Sequence, residues 1–189
     1  MFWNFEGEKT EPSLILLQCH LKSPLDRDKI DPNGKDRRKA ELEKLVDIYN
    51  ELKSDFKMQV PILICGDFNG IAAKEHTESE FQAIYQRTDL QCCFEWLQVD
   101  PEERFTFLQV APYGGKSKGR QIDYILVPES LKNKIRREET YVYRYKDEFG
   151  MNLPLPRNLA QKRLLPSDHY PVVLTLFGEQ TEDPEPTSV

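Results

Sequence analysis

The apolar residues of this chain come in short bursts that stop abruptly at polar or ionisable groups. Leu14-Ile15-Leu16-Leu17-Gln18-Cys19-His20-Leu21 reads as a central strand with His20 near its C-terminal end. Pro61-Ile62-Leu63-Ile64 reads as a buried strand and runs into Cys65-Gly66-Asp67-Phe68-Asn69, where the glycine can take a backbone conformation closed to other residues. Between these two, Asn33-Gly34 signals a turn. Leu42, Leu45, Val46, Tyr49 and Leu52 then fall at helical spacing, which predicts an amphipathic helix from Asp36 to about Asp55. Strand, loop, helix, strand is the connection that a parallel pair requires.

Further along, Phe81, Ile84 and Tyr85 predict a helix from Ser79 to Gln86, and Phe105 to Leu108 carries strand-forming residues. Tyr113 to Arg120 is rich in glycine and lysine, with Lys116 to Arg120 expected as a mobile hairpin tip, and Ile122 to Val127 returns to a strand. Residues 144–165, broken by Pro154 and Pro156, read as a long loop, and Val172 to Phe177 as a closing strand. The first twelve residues show no clear period, and the last eleven, rich in Glu, Pro, Thr and Ser, read as a disordered tail. The expected organisation is an unassigned segment 1–12, a domain over 13–178 and a tail over 179–189.

Composition narrows the function classes. A length of 189 residues suits one domain with a real core. No aliphatic run approaches the roughly 20 residues of a membrane-spanning helix, and Met1-Phe2-Trp3-Asn4-Phe5-Glu6 meets charge too early for a secretory signal, so a cytoplasmic protein is the default expectation. Cys19, Cys65, Cys92 and Cys93 match neither a disulfide framework nor zinc-ligand spacing and read as small, mostly buried thiols. A net charge of −6 argues against a protein that coats duplex phosphate over a wide surface, and favours a small or single-stranded phosphoester instead.

Chemistry enters where the strands end. Asp67 and Asn69 lie two apart, so their side chains share a face if the extended backbone persists; the alternative is an Asx-type turn. Asp123 stands among Ile122, Tyr124, Ile125 and Leu126, where a carboxylate is expensive to bury without a partner. Asp168 and His169 are adjacent, so their side chains diverge. Together with His20, these groups place polar residues at or near the ends of four strands. Carboxylates and an amide suit a hard divalent cation such as Mg²⁺, with Mn²⁺ as a substitute, and a histidine beside a carboxylate suits proton transfer or charge stabilisation. Hydrolysis of a phosphate ester uses both.

Gly66-Asp67-Phe68-Asn69, Ile122-Asp123-Tyr124 and Ser167-Asp168-His169, in this order, resemble motifs of the endonuclease/exonuclease/phosphatase superfamily. Gln18-Cys19-His20-Leu21 resembles its Thr-His-Leu strand, with cysteine at the threonine position. The resemblance runs from about Leu14 to Phe177 and implies a two-sheet α/β sandwich, here lacking its N-terminal strands, and metal-dependent hydrolysis of phosphoester bonds by a phosphodiesterase, nuclease or phosphatase. By that resemblance Asp67 orients or activates the attacking water and Asn69 holds the phosphate. Asp168 contributes to the metal site, His169 acts as base or phosphate stabiliser, Asp123 orients His169, and His20 contacts the scissile phosphate.

The family's early asparagine and its strand-end glutamate, the principal metal ligand, have no counterpart in the sequence: Glu6, Glu8 and Glu11 follow no apolar strand. The chain therefore reads as the C-terminal portion of such a domain, which implies exposed sheet edges and either a missing N-terminal half or self-association. A catalytically inactive module for binding or interaction is the alternative. The long separation between Asp123 and Asp168 further suggests that Tyr143 to Leu165 faces the substrate.

Overall fold

The computed structural model describes residues 12–27, 30–110 and 117–177. Strands β1 (Ile15–His20) and β2 (Ile62–Asp67) run parallel, joined by the 21-residue helix α1 (Lys35–Asp55). Asn33 and Gly34 both take positive φ before α1, as the turn signal predicts, and Leu42, Val46 and Tyr49 of the helix are buried. A 3-10 turn (Ser79–Phe81) and α2 (Gln82–Arg87) follow, then β3 (Leu90–Cys92) and α3 (Cys93–Trp96). Strand β4 (Phe107–Gln109) pairs antiparallel with β5 (Lys118–Arg120), and β6 (Asp123–Pro128) returns between β2 and β3 to complete a four-stranded sheet in the order β1-β2-β6-β3. Strand β7 (Tyr141–Val142), helix α4 (Leu159–Lys162) and β8 (Val172–Val173) close the described chain, with β7 and β8 paired antiparallel.

Register decides which residues share a face of the main sheet. Leu17, Ile64, Leu126 and Cys92 form one cross-strand row, and the last three are 0 % exposed. This face joins Leu42, Val46, Tyr49, Phe81 and Ile84 in a single core. Three residues along, on the opposite face, the last row of the ladder brings His20, Asp67 and Asp123 side by side. Alternation along the strands thus separates a sealed apolar face from a face that carries ionisable groups.

Gly66 is obligatory at the crossing of β1 and β2. Its φ is 143°, and a Cβ there would stand 1.8 Å from the backbone oxygen of Cys19. On the sealed side, Arg38 and Glu80 are both 3 % exposed and bond at 2.7 Å, while Arg38 Nη1 donates to the carbonyls of Lys22 and Asn33. One guanidinium therefore ties α1 to the loop before it and to the 3-10 turn.

Several expectations are revised. Strand β1 is an edge strand among the described residues, not a central one, and Leu14 and Leu16 are 42 % and 57 % exposed. A run of aliphatic residues cannot tell burial on both faces from burial on one. Lys118–Arg120 is held as a strand by its pairing with β4, so it is not a loose tip. The irregular segment 144–165 contains α4, whose N-cap Asn158 accepts from the Gln161 N–H. The closing strand is short: Val172–Val173 pairs with β7, and Leu176 makes one bridge to Ile135. The four cysteines are free thiols, two buried and two half-buried. The expected tail over 179–189 and Glu6, Glu8 and Glu11 lie outside the described residues. Among those residues, no helix is long and apolar enough to cross a membrane.

Candidate active site

Asp67 is the last residue of β2, and a local turn locks its carboxylate. Asn69 has a positive φ of 52°, donates its backbone N–H to Asp67 Oδ1 at 2.8 Å, and donates from Nδ2 to Asp67 Oδ2 at 3.1 Å and to the Leu21 carbonyl at 2.9 Å. The extended backbone does not persist to Asn69, so the two side chains do not share a strand face. The Asx-type turn and the site are one feature, because the turn is what aims the carboxylate. Phe68, between them, is 0 % exposed and anchors the turn against Phe81 and Tyr124.

Asp123 opens β6 directly opposite Asp67. Its position is set by Thr106, whose Oγ1 accepts the N–H groups of Ile122 and Asp123 at 3.1 Å and 3.0 Å. The partner that a carboxylate in this strand requires is His169, whose Nδ1 lies 2.9 Å from Asp123 Oδ2 and 3.1 Å from Oδ1. A carboxylate can only accept, so Nδ1 carries the proton and Nε2 is the nitrogen open to a ligand. His169 is further held by a backbone bridge to Phe107, an edge contact with the Phe107 ring, and a 2.7 Å hydrogen bond from the Tyr145 hydroxyl to its carbonyl.

The other sequence candidates lie around this core. His20 Nε2 is 3.7 Å from Asp67 Oδ2, with its side chain 75 % exposed. Asp168 diverges from His169 as expected: it is 59 % exposed and makes a long 3.7 Å pair with Lys162. Lys162 in turn donates to the Leu108 carbonyl and sits 3.8 Å from the Phe107 ring centroid. Thr106, Tyr145 and Lys162 were not singled out by the sequence. Thr106, a β-branched polar residue between Phe105 and Phe107, carries a faint signal of an inward hydroxyl; the other two lie in the segment Tyr143 to Leu165, which the sequence marks only as a whole.

Burial, with the nearby Asp123 charge, raises the Asp67 carboxyl above its usual range, against the lowering effect of the Asn69 N–H, His169 and His20. The hydrogen bond that His169 donates to Asp123 raises the imidazole's pKa, outweighing burial, and the charges of Asp123, Asp67 and Asp168 add to it. Asp67, Asp123 and His169 place ligand atoms within 4.8 Å of one another. They open into a cleft of about 470 Å³ that His20, Tyr145 and Tyr170 also line. The arrangement offers a carboxylate able to take a proton, an imidazole inclined to keep one, and acidic oxygens for a cation.

No protein-family model matches the sequence, and no curated protein matches it. Solved structures do match by fold. Truncated Caenorhabditis elegans TDP2 aligns with a TM-score of 0.54 at 16 % identity, covering 86 % of this chain and 54 % of that one. D. rerio TDP2 complexed with single-strand DNA product aligns at 0.54 and 14 % identity, covering 87 % and 56 %. The 3′ phosphatase NExo from Neisseria, bound to product DNA hairpin, aligns at 0.52 and 19 % identity, covering 88 % and 62 %. The chain thus spans between 54 % and 62 % of the length of these structures.

Proposed function

We propose that this chain, whose fold is that of the endonuclease/exonuclease/phosphatase superfamily, hydrolyses phosphoester bonds at the cleft built by Asp67, Asp123 and His169. The observation that carries the reading is the hydrogen-bonded pair of His169 and Asp123 beside the raised carboxyl of Asp67. In this reading Asp67 orients the attacking water and accepts its proton, a task that a raised pKa favours. His169, held toward its charged form, presents Nε2–H to the negative charge that develops on the phosphoryl oxygens. Asp123 is a positioning residue that fixes the imidazole's tautomer. Asn69 is another, because both hydrogens of its amide go to Asp67 and Leu21. Exposed His20 contacts the phosphate. The relatives with DNA product bound favour a nucleic-acid or nucleotide phosphoester.

The donors present suit a divalent cation of the Mg²⁺ or Mn²⁺ type, since such ions take one or two carboxylates and keep several waters. Asp123 is engaged by His169, whereas Asp168 is exposed and weakly paired, so Asp168 is the carboxylate we assign to the ion. When bound, the ion would offset charge on the phosphoryl oxygens. The test is hydrolysis of bis(p-nitrophenyl) phosphate with Mg²⁺ by wild type and His169→Ala. The variant is expected to lose about a hundredfold or more; equal rates would remove His169 from the mechanism.

A second reading, a non-catalytic interaction module, is favoured by the exposed Leu14 and Leu16 along β1, an edge strand among the described residues. Calorimetric titration with Mg²⁺ discriminates between them. Binding that Asp168→Ala abolishes supports the catalytic reading, and no binding by the wild type supports the module.

A further inference from the structure

Beside the catalytic cleft lies a second cavity, of about 340 Å³, within the size range of small-molecule pockets. Its walls are aromatic and aliphatic: Phe105, Tyr145 and Tyr170 with Leu153, Leu155 and Leu165. Phe105 meets Tyr170 edge to face at 5.8 Å, and Tyr145 meets Tyr170 at 5.5 Å with 35° between the rings. The Arg144 guanidinium is part of this wall. It sits 3.8 Å from the Phe105 ring centroid and 4.7 Å from that of Tyr170, and donates to the carbonyls of Phe105 and Glu103 at 3.0 Å and 3.1 Å. Asn152, Glu102 and Glu103 supply the polar rim, all three exposed.

Two features define what fits. Tyr145 and Tyr170 line both this cavity and the catalytic cleft, so a group held here is within one linker of a phosphoryl group bound beside His169. The rim carboxylates offset the charge of Arg144, whose guanidinium is already engaged by two carbonyls and two rings, and so disfavour a second phosphate. A neutral flat ring instead finds aromatic and aliphatic walls to lie against and finds amide and carboxylate partners for donors along its edge. A plain phenyl ring would leave that rim unused.

We propose that this cavity is a nucleobase pocket, which selects phosphoesters carrying a base on the group next to the reacting phosphate. The proposal rests on the phosphoester reading of the neighbouring cleft. Residues 143–165, which supply Arg144, Tyr145, Asn152, Leu153, Leu155 and Leu165, then serve as the specificity segment of the fold.

Equilibrium binding without metal tests it, with 2-aminopurine deoxyriboside 5′-phosphate, deoxyribose 5-phosphate and phenyl phosphate as probes. The nucleotide is expected to bind about tenfold or more tighter than the abasic sugar phosphate, with its fluorescence quenched by stacking. Leu153→Trp, which fills the pocket, is expected to bring that ratio close to one, and Asn152→Ala, at an exposed position that folding tolerates, to reduce it. Equal affinity for nucleotide and sugar phosphate, no binding of the nucleotide, or a ratio that both variants leave intact overturns the proposal. Phenyl phosphate binding as tightly as the nucleotide overturns the nucleobase assignment. Retained base discrimination in a protein with no hydrolytic activity would instead sink the phosphoesterase reading and leave the pocket standing.

Discussion

Two ion pairs of similar length sit on opposite sides of one sheet and do different work. Arg38–Glu80, at 2.7 Å, has side chains only 3 % and 2 % exposed, and Arg38 is further bonded to two backbone carbonyls. His169–Asp123, at 2.9 Å, has side chains 30 % and 21 % exposed and faces an open cleft. The first has its charge answered from within and closes α1 onto the core. The second fixes one nitrogen of a ring and leaves the other for a ligand. The contact distance does not separate a clamp from a site; what surrounds the pair does.

The largest effect expected from that difference is on folding. Glu80→Ala leaves the Arg38 charge buried and unanswered and should lower the unfolding free energy by about 3–5 kcal/mol, read from urea melts. A loss below about 1 kcal/mol would deny Arg38–Glu80 its role as the clamp.

Asp123→Asn should act on the site instead. Hydrolysis is expected to fall by about tenfold to a hundredfold, and the His169 pKa to drop back toward its ordinary value of 6.5, followed by proton NMR of the ring. An unmoved His169 titration would show that Asp123 does not hold the imidazole.

The smallest and most diagnostic difference is in the sign of pH dependence. Burial would raise Glu80, but the Arg38 hydrogen bond, with Lys35 adding to it, lowers it below 4.5. Its stabilisation is therefore present above the unfolded-state value and is lost as pH falls through the folded one. His169 is raised above 6.5, so its contribution is present below that value and is lost as pH rises through the folded pKa. Thermal midpoints across pH should show Glu80→Gln removing part of the acid slope and His169→Ala part of the slope above neutrality. The same slope change from both variants would erase the contrast.

Much of this geometry was legible in the sequence because it is local. The apolar burst that ends in Asp67, the one that starts after Asp123 and the one that follows His169 each encode a strand and the group beside it, and α1 is written in its spacing. The energetic objection to Asp123 correctly demanded a partner, and that partner is His169. What could not be read was set by distant chain. The edge position of β1 depends on which strands pair with β2. The hydroxyl of Thr106 acts across sixteen or seventeen residues, and Lys162 reaches Leu108 across fifty-four. Asn69 shows a third limit: Gly-Asp-x-Asn fits an extended end or a turn equally, and its φ of 52° follows from the hydrogen bond to Asp67.

Asp67 is the residue on which the proposed reaction depends most directly, since it is asked to receive the proton of the attacking water. The decisive measurement is the rate of Mg²⁺-supported phosphodiester hydrolysis by the wild type and by Asp67→Asn, an isostere that keeps the side chain's shape but is a poor base. Loss of about a hundredfold or more, with the thermal midpoint largely retained, is the result expected. Equal rates in the two proteins, or no hydrolysis by the wild type at any Mg²⁺ concentration, would contradict it.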